Sequence, residues 1–253
     1  MKKAYYYNSY KDDVVQSKNQ DYNLKEDYKW IKNNIFYKIY SSIIYFFAYI
    51  FGTIYCKFIL HVKIKNKKIL KRFKGQGYFL YGNHTQIIGD VFMPAYVCKS
   101  KRIYTIVSRA NLGIKGIGKT LPALGALPIP NTITNMKNFK NAIEKRIKEK
   151  KCIVIYPEAH VWPYYTKIRP YEKGAFKYPV DLDAPSFSMT TTYYKRKFGK
   201  KPGIIVYIDG PVLTNKELNK KENQEKICEE IHKIMENRSK NSTYEYIEYV
   251  KER

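Results

Sequence analysis

Short, wholly apolar runs alternate along most of this chain with longer stretches in which apolar residues recur every three or four positions. Tyr78–Tyr81, Ile103–Val107, Cys152–Tyr156 and Ile204–Ile208 are runs of four or five residues, the length of a strand buried on both faces. Ser186–Tyr193, rich in Thr and aromatics, reads as another strand, and Leu124–Ile129 as a short extended segment closed by Pro130-Asn131. Between them, Asp90–Val97 continues as a helix and Leu112–Leu121 reads as a Gly-punctuated one. Thr134 is placed to cap a helix with Met136, Phe139, Ala142, Ile143 and Ile147 on one stripe, and Leu218, Ile227, Ile231 and Ile234 mark a last amphipathic helix. Strand and helix in alternation predict an α/β fold: a mixed, largely parallel sheet covered by helices.

The N-terminal quarter has a different pattern. Residues 1–34 mix Tyr, Lys, Asn and Asp without an apolar period, and are expected to form a polar leader that adds little to the core. Lys2 and Lys3 precede the polar stretch Ala4–Lys29 rather than a compact apolar run, so no secretory signal is expected. From Ile39 to Cys56 no side chain is charged, while Ile43, Ile44, Phe46, Phe47, Ile50, Phe51 and Ile54 make the segment strongly apolar. Its length is just short of the roughly 20 residues that a spanning helix needs. The interspersed tyrosines favour the lipid–water boundary, so a helix over 35–62 that lies in one leaflet fits as well as one that spans. A buried core helix is the soluble reading of the same pattern. The remainder, 63–253, is of a size for one catalytic α/β domain.

Charge sharpens the membrane reading. The chain has 47 Lys and Arg against 22 Asp and Glu, a formal +25, so its surface attracts polyanions. Part of this is compositional, since Lys, Asn, Ile and Tyr are all abundant, as in products of AT-rich genomes. Lys57, Lys63, Lys65, Lys67, Lys68, Lys71, Arg72 and Lys74 follow the apolar segment directly; such a cluster suits anionic lipid and predicts a membrane-associated protein whose catalytic domain faces the cytoplasm. Nucleic acid is the competing polyanion, but no nucleic-acid motif is present and that reading leaves the uncharged segment unexplained, so no nucleic-acid partner is expected. The four cysteines are scattered, with neither zinc-type nor disulfide spacing, which fits a reducing cytoplasm.

Two strand ends carry candidate chemistry, the place where open α/β sheets gather functional residues. Gly82-Asn83-His84 is followed by Thr85-Gln86-Ile87-Ile88-Gly89-Asp90. An aspartate bonded to one ring nitrogen of His84 would fix its tautomer and stabilise the imidazolium formed when the other takes a proton. Pro157-Glu158-Ala159-His160 ends a second strand and leads through Arg169 to Lys173-Gly174-Ala175.

From Gly75 to Val212 these segments resemble, in order and spacing, the phospholipid-synthesis acyltransferase superfamily, which includes the 1-acylglycerol-3-phosphate acyltransferases. Asn83, His84 and Asp90 match its first block, and Pro157, Glu158, Gly174 and Ala175 its third, Phe-Pro-Glu-Gly-Thr-Arg with a Gly-Ala downstream. The departures are specific. Five residues rather than four separate His84 from Asp90, so their pairing calls for a bulge or loop, to which Gly89 is suited. Ala159-His160-Val161 replaces Gly-Thr-Arg. The second block's characteristic Arg is absent where Leu127-Pro128-Ile129-Pro130-Asn131 lies.

The resemblance implies transfer of a fatty acyl group from acyl-CoA or acyl carrier protein to the hydroxyl of 1-acylglycerol-3-phosphate, with no metal, no cofactor beyond the donor, and membrane lipid as the partner surface. Another lysolipid or polar alcohol is the alternative acceptor. His84 is then the general base and Asp90 its orienting group. Backbone N–H groups or Asn83 stabilise the oxyanion, and Glu158 binds or positions the acceptor. Arg109, Lys115, Lys119, Arg169 and Lys173 are candidate replacements for the missing arginines, each with a solvated surface role as its plain alternative. Gly174 joins the substrate-binding set, and His160 is either an acceptor ligand or a structural imidazole. The lack of a Gly-x-Ser-x-Gly nucleophile motif predicts direct transfer in a ternary complex rather than an acyl-enzyme.

Overall fold

The computed structural model describes residues 3–15, 22–99 and 101–252. In chain order the elements are β1 (Lys3–Tyr7), α1 (Ile35–Ile54) prolonged by a π-helical turn (Tyr55–Ile59), β2 (Val62–Lys65), α2 (Lys68–Lys71), β3 (Tyr78–Gly82), α3 (Gly89–Cys98), β4 (Ile103–Val107), β5 (Ala126–Pro128), α4 (Ile133–Lys148), β6 (Cys152–Ile155), α5 (Lys177–Asp181), β7 (Ser186–Tyr194), β8 (Gly203–Val212), α6 (Lys220–Ser239) and β9 (Ile247–Lys251).

Seven strands form one sheet in the order β2-β8-β7-β3-β6-β4-β5, parallel throughout except for the antiparallel pair β7–β8. This is the mixed, largely parallel α/β sheet that the apolar runs predicted. Its central strands β3 and β6 are buried at every position, which is why their sequences are continuous apolar runs rather than alternations. One face of the sheet packs under α4 and α6 through Phe139, Ile143, Ile227, Ile231 and Met235. The other packs under α3 and the α1 extension through Cys56, Leu60, Met93 and Val97.

Local signals explain the helix ends. Asn219 and Glu222 form a reciprocal capping box at the start of α6, leaving Leu218 outside the helix. The start of α4 is capped by Thr132, whose hydroxyl oxygen accepts the Asn135 N–H at 3.2 Å, two residues before the expected Thr134. The expected helix over Leu112–Leu121 does not form. Two 3-10 turns, Arg109–Gly113 and Leu121–Leu124, flank a turn at Gly116, whose φ of +82° interrupts any helix.

The larger correction concerns residues 1–34. Leu24 and Trp30 are buried in the α4-side core, and the Trp30 indole N–H donates to the Pro128 carbonyl at 2.9 Å. β1 pairs in parallel with β9, and Tyr7 packs with Trp162 and Tyr165 in a separate aromatic cluster. Bulky aromatics seated singly in grooves bury area without any local period, so the pattern that marks a strand or helix was absent.

Candidate active site

The C-terminal ends of β3 and β6 face the same edge of the sheet, and the loops that leave them are joined at several points. The Trp162 N–H donates to the His84 carbonyl at 3.0 Å and the Tyr164 N–H to the Thr85 carbonyl at 2.9 Å. Gly82 is needed for this approach: a Cβ there would stand 2.6 Å from the Tyr156 ring. That ring stacks on the His84 imidazole at 4.5 Å between centroids, and its hydroxyl donates to the Asp90 carbonyl at 2.7 Å.

His84 and Asp90 are brought together. His84 Nδ1 lies 2.8 Å from Asp90 Oδ2, which also accepts the Gln86 N–H at 2.9 Å. The extra residue between them is absorbed as a helical turn, with the Asp90 N–H donating to the Gln86 carbonyl at 3.1 Å, so the longer spacing preserves the pair. The Asp90 side chain is 2% exposed and that of His84 20%, so the carboxylate is dry while the imidazole meets solvent. Burial pushes the Asp90 carboxyl above its usual range, against the bonds from His84 and the loop backbone, which pull it down. With Nδ1 engaged by the carboxylate, Nε2 is the nitrogen left to exchange a proton.

Glu158 sits behind this loop, with no exposed side-chain surface. Its Oε2 accepts the His84 N–H at 3.1 Å and Nη2 of Arg169 at 2.8 Å, and its Oε1 accepts the Arg169 N–H at 3.1 Å. Arg169 is buried likewise, donates to the His160 carbonyl, and lies with its guanidinium carbon 4.8 Å from the Trp162 ring centroid. Both were expected among the acceptor ligands. The structure instead uses them as a buried ion pair that fixes the two loops to each other, because a buried carboxylate and a buried guanidinium each need the other.

Asn83 is corrected in the same way. Its amide exchanges two bonds with Thr191 of β7, at 3.0 and 2.8 Å, and is buried, so the structure uses it to tie the end of β3 to β7. His160 turns outward: its Nδ1 lies 2.9 Å from Oδ1 of Asp13 in the N-terminal segment. Ala159, where the superfamily has Gly, adopts φ +63°, a left-handed conformation that favours glycine.

The other candidates lie elsewhere or stay solvated. Lys115 and Lys119 are exposed on the turn after β4. Lys173 and Gly174 are exposed, and Lys173 lines a groove of about 590 Å³ against α6 with Tyr171, Cys228 and His232. Arg109 follows β4 on the same sheet edge as His84; it is half-buried, and its Nε has no hydrogen-bond partner. Among the described residues, no group of three or more His, Cys, Asp and Glu could hold a metal ion.

A largely parallel α/β sheet with a His–Asp pair at a strand end defines the class. Residues 61–192, just over half of the chain, match the Acyltransferase family, and the chain belongs to that family. In fold it is similar to the 1-acyl-sn-glycerophosphate (LPA) acyltransferase PlsC from Thermotoga maritima, with a TM-score of 0.51 and 12% identity over 81% of this chain and 84% of that one. Comparison with curated proteins by sequence gives no match.

Proposed function

We propose that this protein transfers a fatty acyl group from a thioester, on coenzyme A or acyl carrier protein, to the free hydroxyl of 1-acylglycerol-3-phosphate. The observation that carries the reading is the 2.8 Å contact between a dry carboxylate and a solvent-facing imidazole at the end of β3. Nε2 of His84 takes the proton from the acceptor hydroxyl as its oxygen forms the ester bond to the thioester carbonyl. Asp90 stabilises the imidazolium, and the proton then passes to the departing thiolate, leaving ester and free thiol. One positioned base contributes about 10²–10⁴-fold to such a step. Membership of the family and the fold shared with PlsC support the reaction class.

With Arg169 committed to Glu158, Arg109 is the cation we assign to the acceptor phosphate. Register supports this. Tyr78, Cys152 and Ile103 are level across β3, β6 and β4, and His84, Glu158 and Arg109 each lie six residues further on. His84 leaves β3 and Arg109 begins the 3-10 turn after β4, both at the C-terminal edge of the sheet with β6 between their strands. The apolar α1, uncharged from Ile39 onward, and the basic cluster after it are the grounds for placing the enzyme at a membrane with its catalytic domain on the cytoplasmic side.

Detergent-purified wild type, His84→Ala and Arg109→Ala, given acyl-CoA and acyl carrier protein donors with a panel of lysophospholipids, test the reading by mass spectrometry of the products. The expected results are His84-dependent acylation of 1-acylglycerol-3-phosphate and, for Arg109→Ala, a raised KM for phosphate-bearing acceptors. Near-normal turnover by folded His84→Ala would remove the assigned base. His84-dependent acylation of a different acceptor would keep the chemistry and move the substrate.

A further inference from the structure

The sequence of α3 leaves one carbonyl beside the active site without its helical donor. Asp90 lies in the first turn of α3, and the residue four further on, whose N–H would donate to the Asp90 carbonyl in an α-helix, is Pro94, which has no N–H. Asp90 is 2% exposed, so water is a poor substitute, and a buried acceptor left unmet is costly. The Tyr156 hydroxyl, 2.7 Å away, supplies the missing donor. Burial, and after it the Asp90 carboxylate, pushes the Tyr156 phenol well above its ordinary range, so the hydroxyl keeps its proton.

The same side chain holds the other member of the pair. Tyr81 and Ile155 are level across β3 and β6, so Tyr156 leaves β6 alongside Gly82, two residues before His84. Its ring fills the room that Gly82 leaves open and stacks on the His84 imidazole with 20° between the planes. Two residues further on, Glu158 accepts the His84 N–H at 3.1 Å. The end of β6 thus holds the backbone of His84 through Glu158, its ring through the ring of Tyr156, and the backbone of Asp90 through the Tyr156 hydroxyl.

That hydroxyl occurs together with another departure from the superfamily blocks. The third block has Phe where Tyr156 precedes Pro157, and Phe can stack on an imidazole but cannot donate to a carbonyl. This chain also has one residue more between His84 and Asp90, and a longer loop has more arrangements to exclude. We infer that the Tyr156 hydroxyl is a positioning group for the proposed reaction: by bonding the carbonyl that Pro94 leaves open, it sets the start of α3 so that the Asp90 carboxylate meets Nδ1 of His84. It acts through the pair rather than on a substrate. The inference rests on His84 and Asp90 as base and orienting group, and adds what keeps them in register across the longer loop.

The test separates positioning from plain support of the fold. An imidazole N–H held by a carboxylate gives a proton NMR signal far downfield of the amides, and the signal of His84 is the one that His84→Ala abolishes. Tyr156→Phe keeps the ring stack and removes the hydroxyl. The signal should then broaden or vanish, and kcat should fall about tenfold, the worth of one hydrogen bond, with KM for donor and acceptor unchanged. Adding Pro94→Ala gives the Asp90 carbonyl an N–H donor from its own helix, and both the signal and kcat should return. Signal and kcat unchanged in Tyr156→Phe, or a wild type without the signal, overturn the inference. So does a fall in kcat with the signal intact, or a loss that Pro94→Ala leaves unrepaired. A signal that responds as expected in a protein without acyl-transfer activity would keep the positioning role and remove the acyl-transfer reading instead.

Discussion

Two histidine–aspartate pairs of nearly equal length occupy neighbouring loops of this protein, at 2.8 Å for His84–Asp90 and 2.9 Å for His160–Asp13. Their surroundings differ. Asp90 is 2% exposed, belongs to the same loop as its histidine, and lies at the strand end where the parallel sheet opens. Asp13 and His160 are each about a third exposed, at 33% and 34%, and join the N-terminal segment to the loop after β6. A hydrogen-bond distance alone therefore identifies neither as a catalytic pair. Burial of one partner, exposure of the other and position on the sheet separate the pair we propose as base and orienting carboxylate from a surface tether.

Removing each imidazole is the strongest way to break the comparison. His84→Ala is expected to lower kcat/KM by about 10³-fold with a thermal midpoint close to wild type. His160→Ala is expected to lose no more than a few-fold. Equal losses in steady-state assays would mean that the two pairs do not divide as described.

The next effect in size lies between the pairs, where Glu158 and Arg169 join the two loops. Arg169→Met leaves the Glu158 carboxylate buried without its cation, and about 3–5 kcal/mol of stability should be lost in chemical denaturation. Adding Glu158→Gln removes the orphaned charge and should recover part of that loss. If Arg169→Met unfolds at the wild-type denaturant concentration, the ion pair does not hold the loops.

Asp90→Asn should cost at least about 10²-fold in kcat/KM, because a neutral amide neither secures the tautomer with Nε2 free nor stabilises the imidazolium. Stability should move the other way. The folded-state pKa of Asp90 is raised by burial, so the native protein binds this proton more readily than the unfolded chain does. Its contribution is full below the unfolded value and is lost as pH rises through the folded one. At neutral pH the ionised carboxylate therefore carries a desolvation cost that Asn removes. Melting curves across the acid-to-neutral range should show Asp90→Asn at or above wild type at neutral pH, the gap narrowing as pH falls. A variant that is less stable at every pH would contradict that balance.

The fold and half of the site were legible in sequence for one reason: strands buried on both faces leave uninterrupted apolar runs. Tyr78–Tyr81 and Cys152–Tyr156 thus announced both strands and the loops that follow them, including His84 and Glu158. What those loops do with their charges was not legible. A chain with 47 basic residues offers many cations to any anionic site, and nothing local distinguishes Arg169, which is wholly buried, from Lys115, which is solvated. Asn83 looked free for an oxyanion because its partner, Thr191, is supplied by a strand distant in sequence. Residues 1–34 hid for the same reason, since β1 is completed only by β9 at the other end of the chain.

The smallest effect tests the tether. In a double-mutant cycle of Asp13→Asn and His160→Ala, followed by chemical denaturation, the coupling should be below about 1 kcal/mol, as for other half-exposed pairs, and should shrink in high salt. The reason lies in how else the segment is held. Trp162 donates its indole N–H to the Asp12 carbonyl at 3.0 Å, and its ring packs edge-on against Tyr7 at 4.7 Å and stacks on Tyr249 at 5.0 Å. These buried aromatic contacts do not titrate and are hardly screened. A coupling of several kcal/mol, insensitive to salt, would instead make His160–Asp13 the fastening of the N-terminal segment and erase the energetic distinction between the two pairs.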